Sequence, residues 1–329
     1  MDQEHPFFSI SILYWNSDQT IDACLDALNA QTDQDFEILL IDNGSTQPIS
    51  RRLIEKYSRL PINLFTLEHN FGFAGGNNFA SAKAKAEYLV LLNADAFPRP
   101  DWLENIRDEI RHHPGCFFSS KLIMANDPCR LDGTGDIYHV SGLVWRRSYN
   151  TKISSFPEKE QEVFSACGAA AVYPLNAFKQ VNGFDEDYFS YVEDIDLSFR
   201  LRIRGYKCIY LPNAVVNHVG YGSTYRRSDL AVYYGQRNLV WTFFKNMPGI
   251  FVWILAPLHL LSNLLMITLG IFRRQGKITI KSKWDALRNL TLIFQKRKLV
   301  QSTRSVPIHR LLLAMDWNPI SPMIKLIHK

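Results

Sequence analysis

Cysteine is scarce and scattered in this chain. Five residues (Cys24, Cys116, Cys129, Cys167, Cys208) stand among 329, with no Cys-x-x-Cys and no paired Cys/His spacing. That pattern argues against a disulfide framework and a structural zinc site, and it fits a reducing compartment. The first residues, MDQEHPFF, lack the basic start and apolar core of a secretory leader, so no signal peptide is expected. No GxGxxG follows the first predicted strand, which argues against a nicotinamide-dinucleotide fingerprint. Acidic residues nearly vanish toward the end. From Arg273 onward 13 Lys/Arg face 2 Asp/Glu, a net of +11 that leaves −6 on residues 1–272 within the total of +5. A basic tail on an acidic body points to an anionic partner for the tail.

What is present is a repeating strand–helix pattern. Residues 7–14 (FFSISILY) alternate apolar residues with Ser and predict a first strand. Ile21, Leu25 and Leu28 recur behind it at helical spacing. Residues 36–41 predict a second, buried strand ending in the turn Asp42-Asn43-Gly44-Ser45; 49–57 predict a helix and 62–65 a third strand. Residues 70–78 (NFGFAGGNN) are glycine-rich and precede a helix to about Ala86. Residues 88–92 are apolar or aromatic throughout, as in a strand covered on both faces. Such alternation implies a parallel sheet with helical crossovers.

The second half is less regular. A capping pattern at 101–104 (DWLE) opens a helix to about His112. Residues 115–162 carry weaker signals, short strands and polar turns with Gly133 and Gly135, and read as irregular. Residues 167–173 (CGAAAVY) predict a strand with something packed close to its small side chains. Ser190 and Glu193 spell a capping box, and Gly205 a stop signal. Ile195, Leu197, Phe199, Leu201 and Ile203 alternate as in a strand, but the start and stop signals decide for a helix. Residues 207–211 predict a short strand leading to Val215-Val216-Asn217-His218.

The chemistry-bearing residues fall at these element ends. Trp15 and Asn16 follow the first strand, Asp42 the second, Asn93 and Asp95 the fourth, and His218 a late one. A carboxylate just past a buried parallel strand sits where open α/β sheets bind ligands, and an Asp there suits a divalent cation. Asp194 would lie in the first turns of the capped helix, where the macrodipole favours an ionised carboxylate. Gly72, Gly75 and Gly76 allow close backbone approach, to a nucleotide or within a tight turn. Each position taken singly also has a structural reading: a core Trp, a turn-forming Asp, a helix-start charge, a core His.

Together they resemble something more specific. The stretches SILYWNS, EILLIDNGST, NFGFAGGNN, YLVLLNADA, GFDEDYFSYVEDIDLSFRLRIRGY and NHVGYGST follow in this order over about residues 7–225. In that order they resemble the inverting family 2 glycosyltransferases of the GT-A fold, particularly the rhamnosyltransferase-like bacterial branch. The resemblance implies an α/β fold, with a mostly parallel central sheet flanked by helices. It places a catalytic domain at 1–240, nucleotide-binding over about 1–112 and acceptor-binding over 113–240; residues 241–329 read separately as an apolar helical segment plus a basic helical tail that associates with membrane. It implies that Trp15 stacks on the nucleobase and Asp42 accepts its N3–H. Asn16, Gly75, Asn77 and Asn93 join the nucleotide-binding set. Asp95 and His218 would ligate Mn2+ or Mg2+, and Asp194 would be the general base. One departure is Asn93, where the metal motif usually carries Asp. With one carboxylate fewer and an imidazole ligand, Mn2+ suits the site better.

The implied activity is transfer of a sugar, L-rhamnose from dTDP-rhamnose, to a lipid-linked surface glycan. A UDP-hexose or UDP-N-acetylhexosamine donor is the alternative on the same fold. A catalytically inactive membrane-bound scaffold is the alternative of another class. The tail adds a partner. Residues 249–272 hold no charge and are long enough to span a bilayer. A single span would carry the basic tail across, against the positive-inside tendency, and Pro257, His259 and Asn263 burden a lone lipid-exposed helix. A kinked or re-entrant hairpin of 249–272 in the cytosolic leaflet is expected instead, with membrane contact through 249–298, peripheral or in-plane on the cytoplasmic face of the bacterial inner membrane. Arg273, Arg274, Lys277, Lys281 and Lys283 would face anionic headgroups, with Trp253 and Trp284 at the interface. The apolar stretch makes the membrane, and not nucleic acid, the expected anionic partner.

Overall fold

The structure is a computed structural model describing residues 5–220 and 228–327, with side chains to 324. Residues 221–224 of the NHVGYGST motif lie outside the described residues. The first half alternates as expected: β1 (Phe8–Tyr14), α1 (Ile21–Asn29), β2 (Phe36–Asp42), α2 (Arg51–Lys56), β3 (Ile62–Thr66), α3 (Gly72–Lys83), β4 (Tyr88–Leu92). β4, β1, β2 and β3 pair in that order, all parallel. The serines of β1 do not face water. Ser9 Oγ donates to Glu37 Oε1 (2.7 Å) and Ser11 Oγ to Asn77 Oδ1 (2.7 Å), so both strand faces are buried. Helices cover them, with Ile21, Cys24, Leu25 and Leu28 of α1 in one core.

The glycine-rich stretch is not a loop. Gly72 starts α3 with a positive φ of 72°, and Gly75 and Gly76 lie in its first turns. The helix therefore begins inside the motif, and its small residues admit protein. A Cβ on Gly72 would fall 2.2 Å from the Phe189 carbonyl, and one on Gly76 would meet Leu13.

Residues 115–162, expected to be irregular, hold much of the sheet. After β5 (Ala96–Pro98) and α4 (Trp102–His112) come β6 (Phe117–Met124), β7 (Asp127–Gly133), β8 (Asp136–Tyr138), β9 (Val144–Arg146) and β10 (Gln161–Val163). β6 escapes a hydropathy reading because Ser119, Ser120 and Lys121 are buried in it. Ser120 accepts from the Trp102 indole and Lys121 pairs with Glu158. The pattern at 101–104 makes no side-chain cap, since Glu104 instead accepts from Thr32 Oγ1. β11 (Ala170–Pro174), α5 (Leu175–Gln180), α6 (Glu193–Ile203) and β12 (Cys208–His218) follow. The sheet order is β10-β12-β6-β11-β4-β1-β2-β3, with β5 on β12 and β7 on β6. β11 runs antiparallel to both β4 and β6, so the sheet is mixed. The two short stretches expected around 207–218 are one strand with a register shift between Leu211 and Val215.

α6 is buried on nearly all sides, which explains its strand-like alternation. It carries no capping box. Its N-cap is Val192 in the left-handed region, and no side chain caps it.

The remaining chain is helical: α7 (Asp229–Asn246), α8 (Phe251–Ile254), α9 (Ala256–Phe272), α10 (Gly276–Arg288), α11 (Leu290–Ser302), α12 (Ile308–Leu313) and α13 (Ser321–Ile327). The expected division at 240/241 falls inside α7, which packs on α6, α10 and α11. The uncharged stretch breaks between α8 and α9, with Pro257 in the first turn of α9. α9 turns back into α10, and Gly270 lets Thr279 approach. No described helix is long and apolar enough to cross a membrane. One expectation for this region fails. Lys283 is buried, donating to the Gln236 carbonyl (2.6 Å), and does not face outward.

Candidate active site

Parallel register aligns the first strand ends. Tyr14 pairs with Asp42, so the turns after β1 and β2 lie side by side. Asn16 takes a positive φ of 50° and ties them. Its Oδ1 accepts from Thr46 N (3.0 Å) and Thr46 Oγ1 (2.8 Å), and its N–H donates to Ser45 Oγ (3.1 Å). Trp15 is left half-buried beside this tie. Asp42 is buried, and its carboxylate accepts from Ser45 N (3.1 Å) and Ile49 N (3.2 Å). Those bonds build the turn and leave acceptor capacity on the carboxylate.

Asn77 and Gly75 are buried in α3. The Asn77 amide is committed to Ser11 and the Phe73 carbonyl, stitching α3 to β1. Gly75 is buried with its open side toward Phe71. Both are packed within the protein because the helix runs through the motif.

After β4 the chain turns tightly. Asn93 N donates to the Ala169 carbonyl, and Ala96 N returns to the Asn93 carbonyl. β5 then pairs with the end of β12, His218 opposite Ala96, which brings His218 beside Asp95. His218 Nδ1 and Asp132 Oδ2 are 2.7 Å apart, while His218 Nε2 lies 3.4 Å from Asp95 Oδ1. Nε2 is buried and has no hydrogen-bond partner among the described residues. Burial alone would lower the imidazole pKa, but the hydrogen bond to Asp132 and the nearby Asp95 carboxylate raise it. Asp132 also pairs with Arg146 Nη1 (2.5 Å); burial works against its ionised form, yet Arg146 and His218 hold its pKa below the usual carboxylate range.

A carboxylate-held imidazole whose other nitrogen has no partner among the described residues, beside a second carboxylate, offers donors of the kind a divalent ion takes. The residues fit Mn2+ or Mg2+.

Asp194, in the first turn of α6, accepts from Ile195 N (2.8 Å) at Oδ1 and from Gly168 N (3.2 Å) at Oδ2. Burial pushes its carboxyl pKa up, against the lowering effect of those two amides and of Arg146. Its side chain shares a space with Asp136 and Cys167, whose ligand atoms and its own all lie within 4.8 Å of one another. Arg146 pairs with Asp132 and its charge also acts on Asp194. Glu193, expected to cap, is buried instead. One carboxyl oxygen lacks a partner, and burial plus Asp194 push its pKa well up. Asp196 is closed to solvent. It accepts from Tyr188, Arg200, Lys245 and Asn246, so it cannot serve the crevice.

Beside Asp136 and Arg146 opens a cavity of about 300 Å3, with Trp145, Val192, Leu239 and Met266 among its walls. Sequence reasoning missed Asp132, Asp136, Arg146 and Cys167. The only signal was the Asp132-Gly133-Thr134-Gly135-Asp136 pattern, read as polar turns. Gly133 is small because the Arg146 side chain packs where its Cβ would stand.

The model of Glycosyl transferase family 2 matches residues 9–181, more than half of the chain. The "O-antigen biosynthesis protein RfbC" of Myxococcus xanthus is 25% identical over 232 residues, 68% of this chain but 18% of its own length. An "N-acetylglucosaminyl-diphospho-decaprenol L-rhamnosyltransferase" of Mycobacterium tuberculosis is 27% identical over 214 residues, 59% of this chain and 70% of its own. Among solved structures, the mannosyltransferase PcManGT from Pyrobaculum calidifontis, in complex with GDP-Man and Mn2+, matches with a TM-score of 0.57 and 18% identity. That match covers 96% of this chain and 89% of its own, a likeness of fold.

Proposed function

Since the chain belongs to glycosyl transferase family 2 and is a glycosyltransferase, we propose that it is a metal-dependent, inverting enzyme that moves L-rhamnose from dTDP-L-rhamnose to a lipid-linked glycan. The observation that carries this reading is the buried His218 Nε2 beside Asp95, without a hydrogen-bond partner among the described residues, its Nδ1 held by Asp132, which pairs with Arg146. Asp95 and His218 would hold Mn2+ or Mg2+, and such an ion would neutralise the leaving nucleoside diphosphate. Trp15, Asn16 and Asp42 would seat the nucleobase, with Asn93 toward the ribose. Asp194 takes the proton of an acceptor hydroxyl. That oxygen bonds to the anomeric carbon as the carbon–diphosphate bond breaks, its electron pair leaving with the diphosphate. The raised Asp194 pKa keeps it basic enough for this task. The acceptor sugar would enter the cavity walled by Asp136, Trp145 and Arg146. The rhamnosyltransferase relative supports the donor and the lipid-diphosphate acceptor class.

The test is nucleotide release by purified protein against a panel of dTDP-, UDP- and GDP-sugars with Mn2+, Mg2+ or chelator. Release from dTDP-L-rhamnose that chelator abolishes is expected. Release from a UDP-hexose or UDP-N-acetylhexosamine alone moves the donor assignment to the alternative. Release from none would return the inactive scaffold.

The tail would seat the enzyme on a membrane. Ile250, Trp253, Ile254, Leu260, Leu261 and Leu264 of the α8–α9 region are 52–64% exposed, a contiguous uncharged stretch. Trp284 is 60% exposed, and Arg274, Lys277 and Lys281 lie exposed nearby, each worth about 1 kcal/mol near anionic headgroups. A bilayer surface on the side of the nucleotide-sugar pool, the cytoplasmic face, is the occupant. Flotation with phosphatidylglycerol-containing vesicles should carry the protein, and pure phosphatidylcholine should carry less. The Leu261→Glu, Leu264→Glu double variant should stay behind, and equal flotation of variant and wild type would remove this face from the proposal.

A further inference from the structure

The segment entering α6 is bent in a way its residues resist. Phe189, Tyr191 and Val192 all have positive φ, 63°, 69° and 70°. For a β-branched residue such as Val192 this is a genuine outlier. Strain of this kind persists only where the surroundings over-determine it, and it gathers at functional positions. Here the next residues are Glu193 and Asp194.

The surroundings come from outside the segment. Asn238, in the middle of α7 and closed to solvent, points its amide nitrogen at three carbonyls: Tyr188 (3.0 Å), Ser190 (3.1 Å) and Tyr191 (2.7 Å). Its orientation is set by Arg237 Nε, which donates to Asn238 Oδ1 (2.9 Å). Arg237 Nη2 donates to the Asp187 and Tyr188 carbonyls as well. On the opposite side α3 closes in, with Ala74 N donating to the Phe189 carbonyl (3.1 Å) and Gly72 leaving room for it. The Val192 carbonyl then accepts from Asp196 N, opening α6 with Asp194 in its first turn.

We propose that Asn238 is a positioning residue for Asp194. By holding three carbonyls of the left-handed segment, it fixes where α6 begins and so where the Asp194 carboxylate points. The helical extension is on this account part of the catalytic unit. This rests on the reading of Asp194 as general base.

The test compares Asn238→Ala and Asn238→Asp with wild type in the full chain. The Asp variant is nearly isosteric but sets a carboxylate against the carbonyls. Three quantities are read: nucleotide release from dTDP-L-rhamnose and UDP-N-acetylglucosamine with its pH profile, calorimetric Kd for dTDP and UDP, and hydrogen exchange of the backbone amides at 190–195. Expected are a fall in kcat of about 10- to 100-fold, nucleotide Kd and donor KM unchanged, a displaced acid limb, and faster exchange confined to 190–195. The Asp variant should be the worse of the two. Unchanged exchange at 190–195, or kcat, KM and Tm declining together, overturns the proposal. Should wild type release nucleotide from neither donor, the transferase reading fails on its own. Amide exchange at 190–195 then still decides whether Asn238 holds the segment.

Discussion

The two halves of the site are built by different means. Around Trp15, Asp42 and Asp95, positions are set by parallel strand register and by short turns whose backbone groups are satisfied locally. Around Asp194 nothing local suffices. The segment is left-handed at non-glycine residues and is held by an amide from α7, by Gly72 of α3 and by the Asp185–Lys245–Asp196 ion pairs beneath. A site half supported by its own strands should lose binding when its ligating side chains are removed. A half supported from afar should lose turnover or stability, depending on which support is cut.

The sharpest contrast lies two residues apart. Asp194→Asn should cut turnover about 10²- to 10⁴-fold while nucleotide binding stays, because only proton removal is lost. Because burial raises the Asp194 pKa, the acid limb of the wild-type rate should lie above the ordinary carboxylate value of 3.8, with activity rising as pH increases through it. A near wild-type rate in the variant would show that the base is elsewhere. Asp196→Ala should act differently, destabilising by about 3–5 kcal/mol in urea unfolding because buried Arg200 loses its counter-charge and buried Lys245 keeps only Asp185 of its two. A stable Asp196→Ala protein that binds nucleotide but turns over slowly would exchange the two roles.

In the strand-built half the effects are smaller. Asp95→Ala and His218→Ala should remove the Mn2+ dependence of dTDP or UDP binding in calorimetry. Asp132→Asn should weaken metal affinity by about 10- to 100-fold through the orientation of His218. Metal-independent binding of equal strength in all four proteins would take these residues out of a metal site.

The last effect concerns the support behind α7 and is read in stability, not in turnover or binding. Burial lowers the Lys283 pKa from 10.5 to about 7. Between those values the unfolded chain holds a proton that the folded chain has shed, so this residue makes stability rise with pH across that window. Lys283→Met should therefore raise Tm most at pH 7 and progressively less toward pH 10. A gain that does not vary with pH would locate the effect in packing alone.

Legibility divided along the same line as construction. The strand ends could be read because two-sided burial makes apolar runs and the ligating residues follow them directly. Asp132, Asp136 and Arg146 could not, because short strands with buried Ser, Lys and Asp carry no apolar period, and Asp132 meets His218 only across 86 residues of chain. The glycine-rich motif misled for a related reason. Glycine signals close approach, but not of what, and here the approaching group is the Phe189 carbonyl. The Ser190–Glu193 pattern had the right spacing, yet a buried Glu193 cannot cap when Val192 already turns the chain in left-handed geometry.

By itself the sequence determined the alternation of strands and helices, the strand ends where Trp15, Asp42, Asp95 and His218 stand, and the uncharged stretch ahead of a basic tail. These are local properties, since hydrophobic period and turn chemistry act over a few residues. Only the tertiary structure decided that the sheet is mixed, that Asp132 holds His218 and that Asp196 is a buried counter-ion. It also decided that a helix beyond the matched family region clamps the approach to Asp194. Those outcomes depend on which groups remain to satisfy a buried charge or carbonyl once the chain is packed, and burial is a property of the whole fold.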